Sequence, residues 1–490
     1  MDWGFVGDAY AAANPDQDAQ ELINWFPEQS QREKSKEQWT LLGCPGLQQV
    51  AAMFAGEVRG AWVLPGGATC LWVSGSSVYL LSVITAATST AFPAYSAALV
   101  GTIASSTGQV GIRDNGTGGI AVLVDGTAAG YVYTISSKTL KAISDPAFYG
   151  SDRVLFVDGW LVFNKPGTQT FYTSPLYWDG VKSFDATYFA LKDSSTDNLI
   201  TMIESLREIW LVGERTTEVW YDAGNQFFPF SRLQGVTLQI GTAAKHSITR
   251  FDTGLAWLAS SERGQNLVVM TEGYQVKVIS SEAVAQAING YPVVSDAIAY
   301  SYSEGGHTFY VITFPTADVT WVYDKTADRW HKRLSFDATT GLFHRHRSNC
   351  YVNFQNQRLV GDYANGQIYA LSRNVYTDNG APLVTVRRTA HVWDGEMRER
   401  LFHNTLQVQL RSGQGPLTGQ GANPQLMLRW SDDSGQTWSN QRQVAIGQTG
   451  ATKQRAIARR LGAARDRIYE VSISDPVCRD VIGASLQVSQ

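Results

Sequence analysis

Apolar residues along this chain fall into short runs broken by turn residues, without the three-to-four-residue spacing of an amphipathic helix. Seven runs stand out: Ala68–Val73, Gly118–Val124, Gly159–Phe163, Glu208–Val212, Gly254–Leu258, His307–Ile312 and Arg358–Gly361. Their starts are 50, 41, 49, 46, 53 and 51 residues apart. Each is followed by a turn rich in Gly, Asn or Asp and a second run that often carries Tyr or Trp. These second runs are Ser77–Leu80, Gly130–Tyr133, Thr170–Tyr172, Glu218–Tyr221, Gln275–Ile279, Val319–Tyr323 and Gln367–Ala370. Hairpins recurring at that period are the sequence trace of propeller blades, which bury their faces only by packing around an axis. A closed ring also leaves few free strand edges. Two β-sandwiches would give short strands too, but the long, regular period favours the propeller.

The pattern therefore predicts an all-β chain: a β-propeller of six or seven blades over residues 51–375, with an N-terminal extension and a C-terminal β-sandwich-like domain. Residues 1–50 read as a partly extended segment. They hold Asn24-Trp-Phe-Pro-Glu28, a polar run from Gln29 to Gln38, and a Pro-Gly turn in Leu41–Leu47. From about residue 376 the period is lost. Strands expected there are Leu401–Leu410, Gln425–Trp430, Arg467–Ser474 and Ala484–Val488, in a separate domain over 376–490.

Composition strengthens this picture. Of 490 residues only 17% are charged, while 11% are aromatic and 45 are Gly. Aromatics suit half-buried pleated surfaces and Gly suits tight turns. The net charge of −4 is unevenly spread. Residues 387–467 carry 13 Lys and Arg against 6 Asp and Glu, whereas residues 1–386 carry 26 against 35. The basic stretch reads as a solvated face or a seat for an acidic neighbour before it reads as a phosphate contact, because no nucleic-acid motif accompanies it. Gly60 to Ile112 is 53 residues without a charge. It reads as buried β-structure or a subunit interface, since interface cores are depleted in charge. Cys44, Cys70, Cys350 and Cys478 are far apart and form no C-x-x-C, so free thiols are expected. The start, Met1-Asp2-Trp3-Gly4, lacks the features of a signal peptide, and no apolar run of ~18 residues predicts membrane insertion.

Candidate chemistry is sparse. Ser431-Asp-Asp433-Ser-Gly435-Gln-Thr437-Trp438 fits the Asp-box pattern S-x-D-x-G-x-T-W. Ser431, Asp433, Gly435, Thr437 and Trp438 are expected to build a structural hairpin turn. Asp433 would accept backbone N–H groups, Gly435 would take a positive φ, and Trp438 would anchor the turn. Asp158, Glu208 and Asp324 sit beside repeat strands and are the carboxylates a glycoside hydrolase would draw on, although turn capping is the simpler role. His344 and His346 lack a third ligand at recognisable spacing. Asp114-Asn-Gly-Thr-Gly-Gly119 has no following Lys and reads as a hairpin turn. No catalytic residue, cofactor or metal is assigned.

Three places resemble the tail hub (nozzle) or packaged-DNA stabilisation proteins of short-tailed bacteriophages. The first is Asn24-Trp-Phe-Pro-Glu28 with Leu42-Gly-Cys-Pro-Gly-Leu47, similar to that family's N-x-[YF]-P element and P-G-L turn. The second is Gly213-Glu-Arg-Thr-Thr-Glu-Val-Trp-Tyr221, similar to G-x-x-T-x-E-x-[WY]. The third is Leu428–Trp438 followed by Arg459-Arg-Leu-Gly462 and Val471–Ser474, similar to the family's ending. Ser434 departs from it by standing where many members have Gly.

The resemblance implies a structural virion protein of the tail, assembled in the host bacterial cytoplasm, and not an enzyme. It implies a homohexamer forming a tube below the portal and the head-to-tail adaptor. That tube would retain packaged double-stranded DNA and pass it without sequence specificity, with a needle or plug at its tip and tailspikes or fibres around it. A propeller glycosidase or a glycan-binding adhesin is the alternative. An arginine cluster with a Tyr and a carboxylate in one propeller pocket would favour the former.

Overall fold

The computed structural model describes residues 3–32, 35–53, 56–88, 91–225, 228–260, 264–396 and 399–489; residues 33 and 34 of the polar run lie outside them. Each of the seven apolar runs is the second strand of an antiparallel meander, and seven meanders form a seven-bladed propeller. Blade one, for example, runs Val58–Val63, Thr69–Ser74, Ser77–Thr85 and Ala94–Thr102. The second runs are third strands, except in blade five. There Gln275–Val278 is the fourth strand, and Asn266–Glu272 stands between it and Gly254–Ser260.

The hairpins between first and second strands explain the regularity. In four blades two residues connect them, both with positive φ: Asp158-Gly159, Leu206-Arg207, Gly305-Gly306 and Gln355-Asn356. That geometry matches the right-handed twist of the flanking strands. The gaps between neighbouring blades are filled by apolar clusters, that between blades five and six by a core shared with the C-terminal body. Between blades seven and one the filling includes Val58, Trp72, Leu81, Phe354 and Leu359. Gly361 is required there, because a Cβ at this position would lie 2.3 Å from Val58.

The ring closes without a covalent link. Gly46–Ala52, from near the N-terminus, is the fourth strand of blade seven and pairs antiparallel with Gln367–Ser372. The preceding residues tie the ring to a second body. Glu21–Ile23 pairs parallel with Arg329–Lys332 of blade six on one side and antiparallel with Thr385–Arg388 on the other. Blade six therefore continues into a sheet containing Thr385–Arg388, Asp466–Ile473, Gln425–Ser431 and Arg442–Ala445. A second sheet holds Trp25–Gln29, Trp39–Gly43, Val481–Ser489, Leu401–Leu410 and Ala456–Arg459. The two sheets form the C-terminal β-sandwich. One apolar core joins Trp3, Trp25 and Leu41 to Leu258, Tyr310 and Trp321 of the propeller and to Leu406, Leu428 and Tyr469 of the sandwich. Among the described residues the one helix is Glu282–Asn289, capped by the Ser281 hydroxyl accepting from the Val284 N–H.

Asn24 is the pivot of this arrangement. It is 1% exposed and adopts φ +57°, a conformation that Asn tolerates better than most residues. Its side-chain amide donates to the carbonyls of Leu334 (2.8 Å) and Val384 (2.7 Å) and accepts from the Leu334 N–H (3.0 Å). Its own carbonyl accepts from the Cys44 N–H, and its N–H donates to Lys332. Asn24→Ala leaves three buried partners unpaired and strains the left-handed backbone. We expect it to lower stability by about 2–4 kcal/mol, read as a drop in denaturation midpoint. Asn24→Gly relieves the strain and is expected to lose less.

Candidate functional site

The first strands of the seven blades line a central channel of about 660 Å³. Spread over four or five residues at ~3.3 Å each, that volume is a passage on the order of 10 Å across. A DNA duplex, whose major groove alone is ~12 Å wide, does not fit. The channel holds Arg113, Arg153 and Arg250 with Asp114, Asp152, Glu204, Tyr300 and Tyr351. This is the set that would favour a glycosidase, so its geometry matters. Arg250 is paired with Glu204 (2.5 Å), Asp152 with Lys245 (2.6 Å), and Asp114 with the Trp62 indole N–H (2.9 Å). Arg113 lies over the Trp62 ring at 4.1 Å. Burial pulls Arg113 and Arg153 down to about 10. The Tyr300 hydroxyl pairs with Ser348 (2.9 Å), and its ring stacks on Tyr351 at 5.4 Å. Burial raises the pKa of both tyrosines, Tyr351 to about 12, the opposite of what a tyrosine nucleophile needs.

The other carboxylates lie on separate blades, each with its own partner. Asp158 takes φ +48° in its hairpin and pairs with Arg207 (2.7 Å). Glu208 accepts from the Tyr274 hydroxyl (2.5 Å). Asp324 is fully buried, accepts from the Thr326 N–H (2.9 Å) and meets His307 Nδ1 at 2.6 Å. The two histidines diverge: His344 meets Asp318 (2.6 Å), whereas His346 is buried against the Ser348 hydroxyl (2.7 Å). Among the described residues no group of three His, Cys, Asp or Glu is placed to hold a metal ion. Residues 114–119 connect Gly111–Asp114 to Ile120–Val124 as a hairpin. All four cysteines are free, and three are buried. No described helix is long and apolar enough to cross a membrane.

The Asp-box residues form a tight turn between Gln425–Ser431 and Arg442–Ala445. Asp433 accepts from the Ser431 hydroxyl (2.6 Å), the Thr437 N–H (2.8 Å) and the Thr437 hydroxyl (2.6 Å), which hold its carboxyl down at about 2. Gly435 has φ +93°, and the Trp438 indole donates to its carbonyl (3.1 Å). Arg388 and Arg429 lie over the Trp438 ring at 4.9 and 4.5 Å. Four arginines of the basic stretch are thus engaged by the sandwich, while most of its other basic residues are exposed. Arg388 and Arg429 also share Glu470, and Arg467 pairs with Asp432. Arg387 is buried and donates to the carbonyls of Phe5 (2.6 Å), Asp8 (3.1 Å) and Gly4 (3.1 Å). Lys453, Arg455, Arg459, Arg460 and Arg465 remain exposed.

Comparison with known families places the chain. The model described as bacteriophage P22 Gp10, beta-propeller, matches residues 5–376, and that described as bacteriophage P22 Gp10, beta-sandwich, matches residues 386–489. This chain belongs to the P22 Gp10 family of phage tail hub proteins. No curated protein matches it. Among solved structures it is similar to the WD40 beta propeller domain of Doa1 (12% identity, 67% of this chain and 97% of that one, TM-score 0.38). It is also similar to YCF48 bound to D1 peptide (9% identity, 67% and 97%, TM-score 0.38). At that level neither bears on function.

Several of the residues that resemble the Gp10 family sit at joints. Asn24-Trp-Phe-Pro-Glu28 lies at the meeting of propeller and sandwich, with the Trp25 indole donating to the Arg479 carbonyl (2.9 Å). In Gly213–Tyr221, Thr216 and the buried Lys192 and Asp197 share hydrogen bonds, and Glu218 accepts from the Ser194 N–H and the Trp220 indole. Burial alone would raise the Asp197 pKa. Lys192 and the N–H groups of Arg215 and Thr216 outweigh it and hold the carboxyl far below its usual range. In Arg459–Gly462 the Leu461 carbonyl accepts from Arg467 (2.6 Å), and the Gly462 carbonyl from the His403 N–H (2.8 Å).

His403 generates a pH prediction. Burial, then nearby Arg467, lowers its pKa to about 4. The unfolded chain, near the usual ~6.5, binds the proton first, so this stability is present above ~6.5 and lost as pH falls toward 4. Going from pH 7 to 5 is expected to cost about 2 kcal/mol through this group. His403→Gln should flatten the melting-temperature profile over that interval.

Proposed function

We propose that this chain is the tail hub subunit of a short-tailed phage, with six copies forming a tube below the portal and its adaptor. The observation that carries this reading is the succession of two family matches, propeller then sandwich, over nearly the whole chain. The tube retains packaged DNA, serves as its exit channel, and anchors spikes or fibres and a needle or plug. It is built in the host cytoplasm and carried in the virion tail. Because a duplex does not fit through one propeller, the DNA path runs between copies. The acidic balance of residues 1–386 limits phosphate attraction along that path. Residues 1–50 act as a clamp joining propeller 51–375 to sandwich 376–490, and the Asp-box turn is structural.

A ring of identical copies needs two different complementary patches. One is the outer edge of blade one, the strand Ala94–Thr102 within the uncharged stretch. The outer strands of four other blades carry a charge, such as Lys141, Arg232 and Lys277, the usual protection of an exposed edge; those of blade three, Phe189–Leu191, and blade seven, Gly46–Ala52, are shorter than that of blade one and carry none. Ala94–Thr102 carries none, and Leu99 is 60% exposed. The partner strand is a second copy of this chain.

The test is native mass, alone and with the adaptor. A sixfold ring is expected. Leu99→Glu should leave the melting temperature of the single chain within a degree or two and weaken ring formation at least tenfold. A chain that stays at 53.8 kDa under both conditions defeats the reading. Hydrolysis and binding assays on charged glycans would then take up the channel's arginines and tyrosines.

A further inference from the structure

Among the described residues four arginines are less than 2% exposed: Arg59, Arg333, Arg387 and Arg479. Two of them are satisfied by backbone. Arg59 donates to the carbonyls of Gly75, Ser105, Thr107 and Gly108, and Arg387 donates to those of Gly4, Phe5 and Asp8. The other two are not. Arg333 has no hydrogen-bond partner at any of its three nitrogens, and its charge rests against the rings of Phe309 (5.1 Å) and Tyr302 (5.3 Å). Arg479 uses Nη1 on the Leu383 carbonyl, but its Nε and Nη2 are buried and unpartnered.

Arg479 lines a cavity of about 180 Å³ at the seam of N-terminal segment, propeller and sandwich. Arg373 and Arg411 line it too, with Cys44, Tyr376 and Asp480. The Arg373 Nε is also buried without a partner. Asp480 is the one carboxylate among the lining residues. It is already shared between the Gly43 N–H (3.0 Å) and Arg373 Nη2 (3.5 Å). Three guanidinium groups thus face one engaged carboxylate, and a buried unpaired charge costs several kcal/mol unless something compensates it. The volume is that of a handful of waters at ~30 Å³ each, enough for one tetrahedral oxyanion with some of its hydration. Guanidinium forks suit such an anion in shape as well as charge.

We propose that this cavity binds a small inorganic oxyanion, with phosphate as its representative, held by Arg479 and Arg373 from within and Arg411 at the exposed rim. The ion bridges three parts of the chain: the turn at Gly43-Cys44, the end of the propeller at Arg373, and the sandwich at Arg411 and Arg479. It is a free ion, since the site is set within one chain at the seam. Nothing in this proposal depends on the number of copies in the ring.

The test uses the full chain at constant ionic strength, with sodium phosphate exchanged for sodium chloride. Calorimetric titration should show one site, and the melting temperature should rise with phosphate as binding to the folded state requires. Arg373→Gln should weaken binding at least tenfold and Arg411→Gln several-fold. Arg411 is exposed, so its variant should fold even if the other does not. Absence of binding heat and of any phosphate-specific rise in melting temperature would overturn the proposal. So would an undiminished affinity in Arg411→Gln. Displacement of phosphate by a short DNA duplex would overturn the free-ion assignment and give the site to a backbone phosphate.

Discussion

A three-residue strand, Glu21–Ile23, carries backbone pairing to the propeller on one edge and to the sandwich on the other. So short a strand has little stability of its own. It is held because its flanks are pinned by side chains whose alternatives are costly. Arg387 reaches out of the sandwich sheet to collect the carbonyls of residues 4, 5 and 8, and Asn24 collects those of 334 and 384. Removing either partner leaves buried polar groups bare, which penalises the broken state more than the intact contact stabilises the whole. The chain a little further on, Gly46–Ala52, closes the ring. One stretch of about thirty residues therefore fixes both the circle of blades and the orientation of the sandwich upon it. Loosening it is felt in both bodies at once.

The blades were legible because they repeat. Their second and third strands are near-continuous apolar runs between turns, and that signal does not depend on distant partners. Blade five shows where it fails. There Gln275–Ile279 reads as the partner run, although Asn266–Glu272 stands between and Gln275–Val278 is the next strand out. First strands such as Gly111–Asp114 and Thr249–Phe251 were missed for a different reason. They are short, and they turn Arg113, Asp114 and Arg250 into the channel, which dilutes their apolar pattern. Leu206-Arg207 makes a left-handed turn with neither Gly nor Asn, so residue type gave no warning of it.

The joints could not be read locally at all. Asn24 meets partners 310 and 360 positions away. In sequence it is one polar residue before an aromatic pair, and only a resemblance singled it out. Four of the arginines are as hard to place locally. Arginine is ordinarily a surface residue, so a stretch with 13 basic residues reads as a charged face. In the fold eight of the twelve described ones do lie exposed, whereas Arg387 and Arg467 are buried on carbonyls and Asp432, and Arg388 and Arg429 rest half-buried on Glu470 and the Trp438 ring. The Asp-box was the reverse case, a local hydrogen-bonding pattern whose geometry follows from its own eight residues.

The placement of charge at the seam has a consequence for how the two bodies fit. Apolar surfaces slide past one another with little penalty, whereas a buried guanidinium tolerates only positions where its nitrogens find acceptors. Such groups are weak sources of net stability, because their desolvation offsets most of what they gain. What they impose is register. Arg387 accepts a single depth of insertion for residues 4–8, and Asn24 a single spacing between blade six and the sandwich. In the ring of copies proposed above, an error in that spacing would be repeated at every interface. A seam built on polar joints within a large shared apolar core answers that constraint: the core supplies the stability, and the joints allow one alignment of it.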